Sequence, residues 1–66
     1  MVDARGLSCP EPVIMTKNAL ESKPDTLEIL VDNRTALENI TRFATHAGYT
    51  VNHTEEGDDF RIKLSK

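Results

Sequence analysis

The chain has 66 residues, and eight Lys or Arg against eleven Asp or Glu give it a formal net charge of −3. This charge, with one Tyr, two Phe, no Trp and no basic cluster, argues against direct nucleic-acid binding as the main activity. A chain this short buries only about 60% of the surface that its unfolded form exposes. We therefore expect residues 1–66 to form one domain with a small core.

The placement of cysteine, histidine and apolar residues excludes further classes of protein. Cys9 is the only cysteine, so no internal disulfide can form. Cys9, His46 and His53 lack the paired spacing of a structural zinc site, and we expect neither a metal nor an organic cofactor. No apolar run is long enough for a signal peptide or a membrane span, which predicts a cytoplasmic protein without membrane association.

A short strand is predicted at the start of the chain. Apolar and polar residues alternate from Val2 to Arg5, and Gly6 breaks the pattern. The side chains of Val2 and Ala4 should lie on one face of a sheet, and those of Asp3 and Arg5 on the other.

The first helix is predicted over residues 10–22, because Pro24 cannot continue it. A stripe at helical spacing should face the core, and it comprises Val13, Thr16, Ala19 and Leu20. Ile14 and Met15 fall outside this stripe. They are predicted to be exposed apolar residues near the start of the helix.

A second strand and a second helix follow. The strand has an inward face of Leu27, Ile29 and Val31, with Glu28, Leu30 and Asp32 on its outer face. Asn33 or Thr35 is the predicted N-cap of the helix, and Thr35 with Glu38 has capping-box spacing. The amphipathic stripe of this helix comprises Ala36, Leu37, Ile40, Phe43, Ala44 and Ala47. Gly48 is the expected end, since glycine readily adopts the left-handed conformation there.

The last part of the chain predicts two strands, over residues 49–54 and 60–64, joined by an acidic hairpin at residues 55–59. The sum is βαβαββ. If the first three strands are parallel, right-handed crossovers place both helices on one face of a four-stranded mixed sheet. The predicted fold class is therefore an α/β (α+β) two-layer sandwich. The open face of the sheet should carry Arg5, Glu28, Thr50, Asn52, Arg61 and Lys63.

The motif Cys9-Pro10-Glu11-Pro12 places the lone thiol just before the first helix. Proline suits the first helical position, so Pro10 is predicted there. The residue before a proline is extended, which makes Cys9 the N-cap. Its sulfur would then lie at the positive end of the helix, where thiols commonly have a lowered pKa.

Other residues of the motif oppose this effect. Pro12 removes one N–H and disfavours helical geometry at Glu11, which predicts an irregular first turn. The charge of Glu11 opposes a thiolate at Cys9, and Arg5 is a candidate to offset that charge. The alternative interpretation is that Cys9 is a small, half-buried apolar residue.

With Cys-Pro-x-Pro between a strand ending in Arg5-Gly6-Leu7 and a helix, the whole chain resembles the TusA/SirA-like sulfur-carrier family. It is particularly similar to the amino-terminal unit of the YedF-like subgroup, some of whose members are associated with selenium metabolism. The resemblance implies a sheet order of 1-2-4-3 with the last strand antiparallel.

The resemblance also implies a function. Cys9 would accept a sulfane sulfur as a persulfide, with Arg5, Pro10, Glu11 and Pro12 as supporting residues. The implied partners are a cysteine desulfurase or other sulfur-donor protein and a downstream acceptor protein. The implied processes are tRNA thiolation, cofactor assembly or related sulfur and selenium metabolism. We expect Ile14 and Met15 to contact these partners, because apolar residues beside an exposed reactive group often mark a docking surface.

Three alternatives remain at this point. A non-catalytic interaction module would bind through the open sheet face or through Ile14 and Met15. A thiol redox sensor would form a sulfenic acid or a mixed disulfide on Cys9. A hydrolase would pair Cys9 with His46 or His53, although both histidines lie on predicted surface elements.

Overall fold

The computed structural model describes residues 2–7 and 11–66. In chain order, its elements are β1 (Val2–Asp3), α1 (Glu11–Leu20), β2 (Thr26–Val31), α2 (Arg34–His46), β3 (Thr50–Glu56) and β4 (Asp59–Ser65). This order confirms the βαβαββ pattern that the alternation and helical spacing predict.

The strands form a mixed four-stranded sheet in the order β1-β2-β4-β3. β1 runs parallel to β2, whereas β4 runs antiparallel to both β2 and β3. β1, β2 and β3 therefore share one direction. The strand order and the antiparallel last strand, which the family resemblance implies, are both confirmed.

The core lies between one face of the sheet and the helices. Ile29 on β2 lies opposite Ile62 on β4, and both side chains are fully buried. The helices add apolar residues to the same cluster, namely Leu20, Ala36, Leu37, Ile40 and Ala44. Both helices therefore cover the same face of the sheet, and the two-layer α+β architecture is confirmed.

Two apolar residues depart from the predicted pattern. Leu30 falls on the outer face of β2 by alternation, yet it is buried, because β2 is an inner strand and Leu30 is flanked by its partners Asp3 and Arg61. Ala47 was expected on the apolar stripe of α2, but it is the exposed C-cap residue of that helix. The buried stripe of α2 therefore ends at Ala44.

β1 is shorter than predicted. The Asp3 carboxylate accepts a hydrogen bond from the backbone N–H of Arg5 at 3.1 Å, which favours a turn over a longer strand. The N–H of Ala4 still donates to the carbonyl of Leu30 at 2.8 Å. The predicted extension of the strand to Arg5 is therefore wrong, because the backbone N–H of Arg5 bonds to the Asp3 side chain instead of to β2.

α1 is helical from Glu11, so the predicted irregularity there is wrong. Pro12 lies in the first turn with its side chain fully buried, and its carbonyl accepts a hydrogen bond from the Thr16 hydroxyl at 2.9 Å. The helix ends at Leu20, two residues before the predicted end. Lys23 then adopts the left-handed conformation, with φ of 52°.

The two ends of α2 resolve the alternatives in the sequence. Asn33 is the N-cap, and its side chain accepts a hydrogen bond from the N–H of Ala36 at 2.7 Å. Thr35 lies inside the helix, so the predicted capping box with Glu38 is wrong. Gly48 follows the C-cap with φ of 92°, as predicted.

The hairpin between β3 and β4 is tighter than predicted. Glu56 pairs with Asp59, so only Gly57 and Asp58 form the turn. Gly57 has φ of 66°, and glycine at the first position is typical of a two-residue hairpin turn. The acidic residues expected in a loop therefore extend both strands.

The N-cap can be tested by substitution. Asn33→Ala should lower the free energy of unfolding by about 1 kcal/mol, because the N–H of Ala36 loses its partner. Thr35→Ala should cost less than about 0.5 kcal/mol, as is usual for exposed positions. Urea unfolding at neutral pH measures both values, with Asn33→Ser as the control that retains a capping oxygen. A larger loss for Thr35→Ala than for Asn33→Ala would contradict the assignment.

Candidate functional site

The candidate site lies at the edge of the sheet where the parallel strands end. β1 ends at Asp3 and β2 at Val31, and a helix begins after each strand. The N-termini of α1 and α2 therefore lie at the same edge, which is where open α/β sheets commonly bind ligands. Cys9 and Pro10 follow β1 in the sequence. The predictions for these two residues fall outside the described part of the chain.

Asp32 connects two turns at this edge. One oxygen of its carboxylate, Oδ2, accepts a hydrogen bond from the backbone N–H of Gly6 at 2.8 Å. The other, Oδ1, accepts one from the side-chain amide of Asn33 at 3.0 Å. These bonds, led by the one from Gly6, hold the pKa of Asp32 below its ordinary value. The turn that precedes the Cys9 motif is thus fastened to the start of α2.

Arg5, a predicted supporting residue, is held by two carboxylates. Its guanidinium and Asp3 form hydrogen bonds of 2.9 and 3.0 Å, and a further nitrogen lies 3.3 Å from Asp59. The side-chain bonds from Arg5 lower the pKa of Asp3 to about 2. The same carboxylates raise the pKa of Arg5 above its ordinary value. Arg5 is therefore already neutralised by its neighbours, and its role beside Cys9 stays a prediction.

The remaining predicted site residues lie on α1. Glu11 is exposed, whereas Pro12 is buried under the first turn. Ile14 is 43% exposed, as predicted. Met15 was expected to be exposed, but it is partly buried and packs against the core, because it lies on the flank of α1 rather than on its outer side.

Two large apolar residues are exposed in the described part of the chain, and both are close to Cys9 in the sequence. Leu7 is 36% exposed and Ile14 is 43% exposed. Leu7 also lines a groove of about 200 Å³ between the starts of α1 and α2. The groove is formed by Leu7, Pro12, Val13, Asn33, Thr35, Ala36 and Asn39, none of which is ionisable. Exposed apolar side chains therefore lie shortly before and shortly after the Cys9 segment in the sequence.

The open face of the sheet is polar, as predicted, and ion pairs cross it. Arg61 on β4 contacts Glu28 on β2 at 3.0 Å and Glu56 on β3 at 2.8 Å. Hydrogen bonds from Arg61 hold the pKa of Glu56 below its ordinary value. These side chains satisfy one another across three strands.

Among the residues that the structure describes, neither histidine lies in a cluster of potential metal ligands. Both are exposed, and His53 makes an edge contact with Phe60, with 6.3 Å between ring centroids. Within residues 2–7 and 11–66, no group of three His, Cys, Asp or Glu side chains could hold a metal ion. In the same residues, no helix has the length and apolar character that a membrane span requires.

Comparison with known proteins identifies the family to which the chain belongs. The family model described as Sulfurtransferase TusA matches residues 1–66. The chain belongs to the TusA family. The YedF-like subgroup stays a prediction.

Individual relatives agree with this assignment. The chain is 47% identical over 68 residues to a protein of Methanocaldococcus jannaschii named as a candidate sulfur carrier, covering 98% of this chain and 91% of that protein. A Bacillus subtilis protein named in the same way is 29% identical over 69 residues, covering 100% and 92%. The crystal structure of the SirA-like protein from Desulfitobacterium hafniense superposes with a TM-score of 0.88 at 28% identity, covering 97% of this chain and 92% of that one.

Sequence reasoning did not assign Asp32 or the acidic partners of Arg5 to this edge. Asp32 directly follows a strand that is parallel to β1. The rule that carboxyl ends of parallel strands meet at one edge could therefore have placed it near Gly6. Asp59 contacts Arg5 from the start of β4, because the hairpin turn is only two residues long. The sequence predicted a loop over residues 55–59 and therefore did not place Asp59 in the sheet.

The Arg5–Asp3 contact predicts a measurable titration. The pKa of Asp3 should lie near 2 in the folded protein and rise towards 3.8 in Arg5→Gln. Because the pKa is lowered by folding, the contact stabilises the protein above pH 3.8, and this contribution is lost as pH falls towards 2. Carbon-13 NMR of the Asp3 carboxyl measures both midpoints. Equal midpoints in the two proteins would contradict the contact.

Proposed function

We propose that this protein is a sulfur carrier that accepts a sulfane sulfur as a persulfide on Cys9 and relays it to an acceptor protein. The observation that carries the proposal is the match of the TusA sulfurtransferase family to residues 1–66, together with the single cysteine of the chain in a Cys-Pro-Glu-Pro motif. The names of the relatives as candidate sulfur carriers support the same assignment.

The location of the motif supports this chemistry. Leu7 follows the turn after β1, and Glu11 begins α1. A segment between the end of a strand and the N-terminus of a helix suits a group that must be reached by another protein. Unpaired N–H groups at the helix N-terminus favour a thiolate.

The transfer step requires no oxidant. The Cys9 thiolate attacks the outer sulfur of a donor persulfide, a new S–S bond forms on Cys9, and the donor S–S bond breaks. The electron pair of that bond leaves with the donor sulfur as a thiolate. Delivery reverses the roles, since an acceptor nucleophile attacks the outer sulfur on Cys9 and the Cys9 thiolate leaves. Donor, carrier and acceptor therefore exchange one sulfur atom without net redox change.

Both partners must approach the same edge of the sheet. The donor is a cysteine desulfurase or another persulfide-bearing protein, and the acceptor is a protein of a biosynthetic pathway such as tRNA thiolation or cofactor assembly. Exposed Leu7 and Ile14 provide apolar contacts beside the motif. The sequence predicted partner contacts for both Ile14 and Met15. Because Met15 packs against the core, we assign this contact to Ile14 alone. We place this exchange in the reducing cytoplasm, where free thiols persist.

Sulfur acceptance gives the direct test. After incubation with a cysteine desulfurase and cysteine, intact mass measured without reductant should increase by one sulfur atom, because Cys9 takes the outer sulfur of the donor. Dithiothreitol should remove the increase, and Cys9→Ser should never show it. Wild-type protein that stays folded but gains no sulfur from any persulfide donor would overturn the proposal in favour of an interaction module.

Docking through Ile14 can be tested separately. Ile14→Asp should slow sulfur loading by the desulfurase about tenfold or more, because it places a charge in the apolar contact. Its melting temperature should stay close to that of wild type, since Ile14 is 43% exposed. Asn52→Asp is the matched control, as it adds the same charge at an exposed position of β3, away from α1. Equal loading rates for the two variants would show that partners approach from another side.

A further inference from the structure

We infer that Asp32 is a positioning residue for sulfur transfer, because it fixes the turn through which the chain enters the Cys9 motif. This inference rests on the proposed function and adds a residue to it. Asp32 lies 23 positions after Cys9 in the sequence. Asp32 does not carry sulfur. It acts through the backbone of Gly6.

The geometry favours a specific link over a general surface charge. The carboxylate accepts the backbone N–H of Gly6 at 2.8 Å, a short bond to an ionised acceptor. Asn33 donates to the second carboxylate oxygen and at the same time caps α2. Asp32 is thus held from one side by the start of α2 and holds Gly6 from the other.

The Gly6 turn needs such a link. Gly6 has φ of 78°, and β1 has already ended at Asp3. Only Leu7 and Ser8 then separate Gly6 from Cys9. The Gly6 N–H donates to Asp32 and, within residues 2–7 and 11–66, to no backbone carbonyl. Without the carboxylate, the Gly6 turn would lose its hydrogen bond to the start of α2.

A correct direction matters because sulfur transfer requires an in-line approach of three sulfur atoms. A displacement of about 1 Å can cost about a hundredfold in rate for reactions that depend on such alignment. The donor supplies two of these sulfurs and Cys9 supplies the third. Fixing the Gly6 turn before docking therefore reduces the ordering that the complex must impose.

Two substitutions separate position from charge. Asp32→Asn and Asp32→Ala both remove the negative charge, but only asparagine retains an oxygen that can accept the Gly6 N–H. We expect Asp32→Ala to lower kcat/KM for desulfurase loading about fivefold or more, with Asp32→Asn close to wild type. Asp58→Ala is the matched control, since it removes the same charge from the hairpin turn. All rates are measured well below the melting temperature of each variant.

Amide hydrogen exchange provides a readout that does not depend on the donor. The Gly6 amide should exchange faster in Asp32→Ala than in wild type, and it should stay protected in Asp58→Ala. Unchanged Gly6 exchange would overturn the link. Equal loss of loading in Asp32→Asn and Asp32→Ala would replace positioning by a charge effect and would also overturn the inference.

The test also distinguishes failure of this inference from failure of the proposed function. If wild-type protein accepts no sulfur from any persulfide donor, the proposed function fails, whereas exchange of the Gly6 amide still tests the link to Asp32. If wild-type protein accepts sulfur and Asp32→Ala loads at the wild-type rate, the positioning role is overturned and the proposed function stands.

Discussion

The pairing of β2 with β4 is the interaction on which the rest of the structure depends. Ile29 lies opposite Ile62 and Leu27 lies opposite Leu64, so the apolar side chains of both strands face the helices. A shift of one residue would turn this whole set towards solvent, which fixes the register. With β2 and β4 in the centre, β1 and β3 become the edges of the sheet. The carboxyl ends of β1 and β2 then lie next to the starts of both helices, and this is the end of the sheet that carries the candidate site.

Much of this arrangement follows from local patterns. The alternation in β2 and β4 and the helical spacing of Ile40 and Ala44 each identify one buried face, because burial requires the period of the element. Gly48 ends α2 for an equally local reason. The sheet order is different, since alternation fixes which residues are buried but not which strands are neighbours. Only resemblance to a family of known fold supplied that order.

Two errors of the sequence analysis share a physical cause. β1 ends before Arg5 because the Asp3 side chain bonds to the backbone of Arg5, and the predicted capping box of Thr35 and Glu38 is wrong because Asn33, the other candidate, caps α2. In each case a short polar side chain bonds to a nearby backbone N–H, and periodicity does not measure such bonds. Asp32, which the sequence analysis did not place near Gly6, forms a contact of the same kind between distant positions. Its bond to Gly6 joins positions that become neighbours only when β1 pairs with β2.

The charges around this edge bear on how the proposed carrier would work. Arg5 is the basic residue nearest in sequence to Cys9, and Asp3 and Asp59 already neutralise it. Stabilisation of a Cys9 thiolate would then come chiefly from the start of α1, with Glu11 opposing it. A thiol of lower pKa leaves more readily but attacks less readily, and a carrier must do both in turn. A modest stabilisation of the thiolate suits these two roles better than a free arginine would, because a strongly stabilised thiolate would release sulfur readily but accept it slowly.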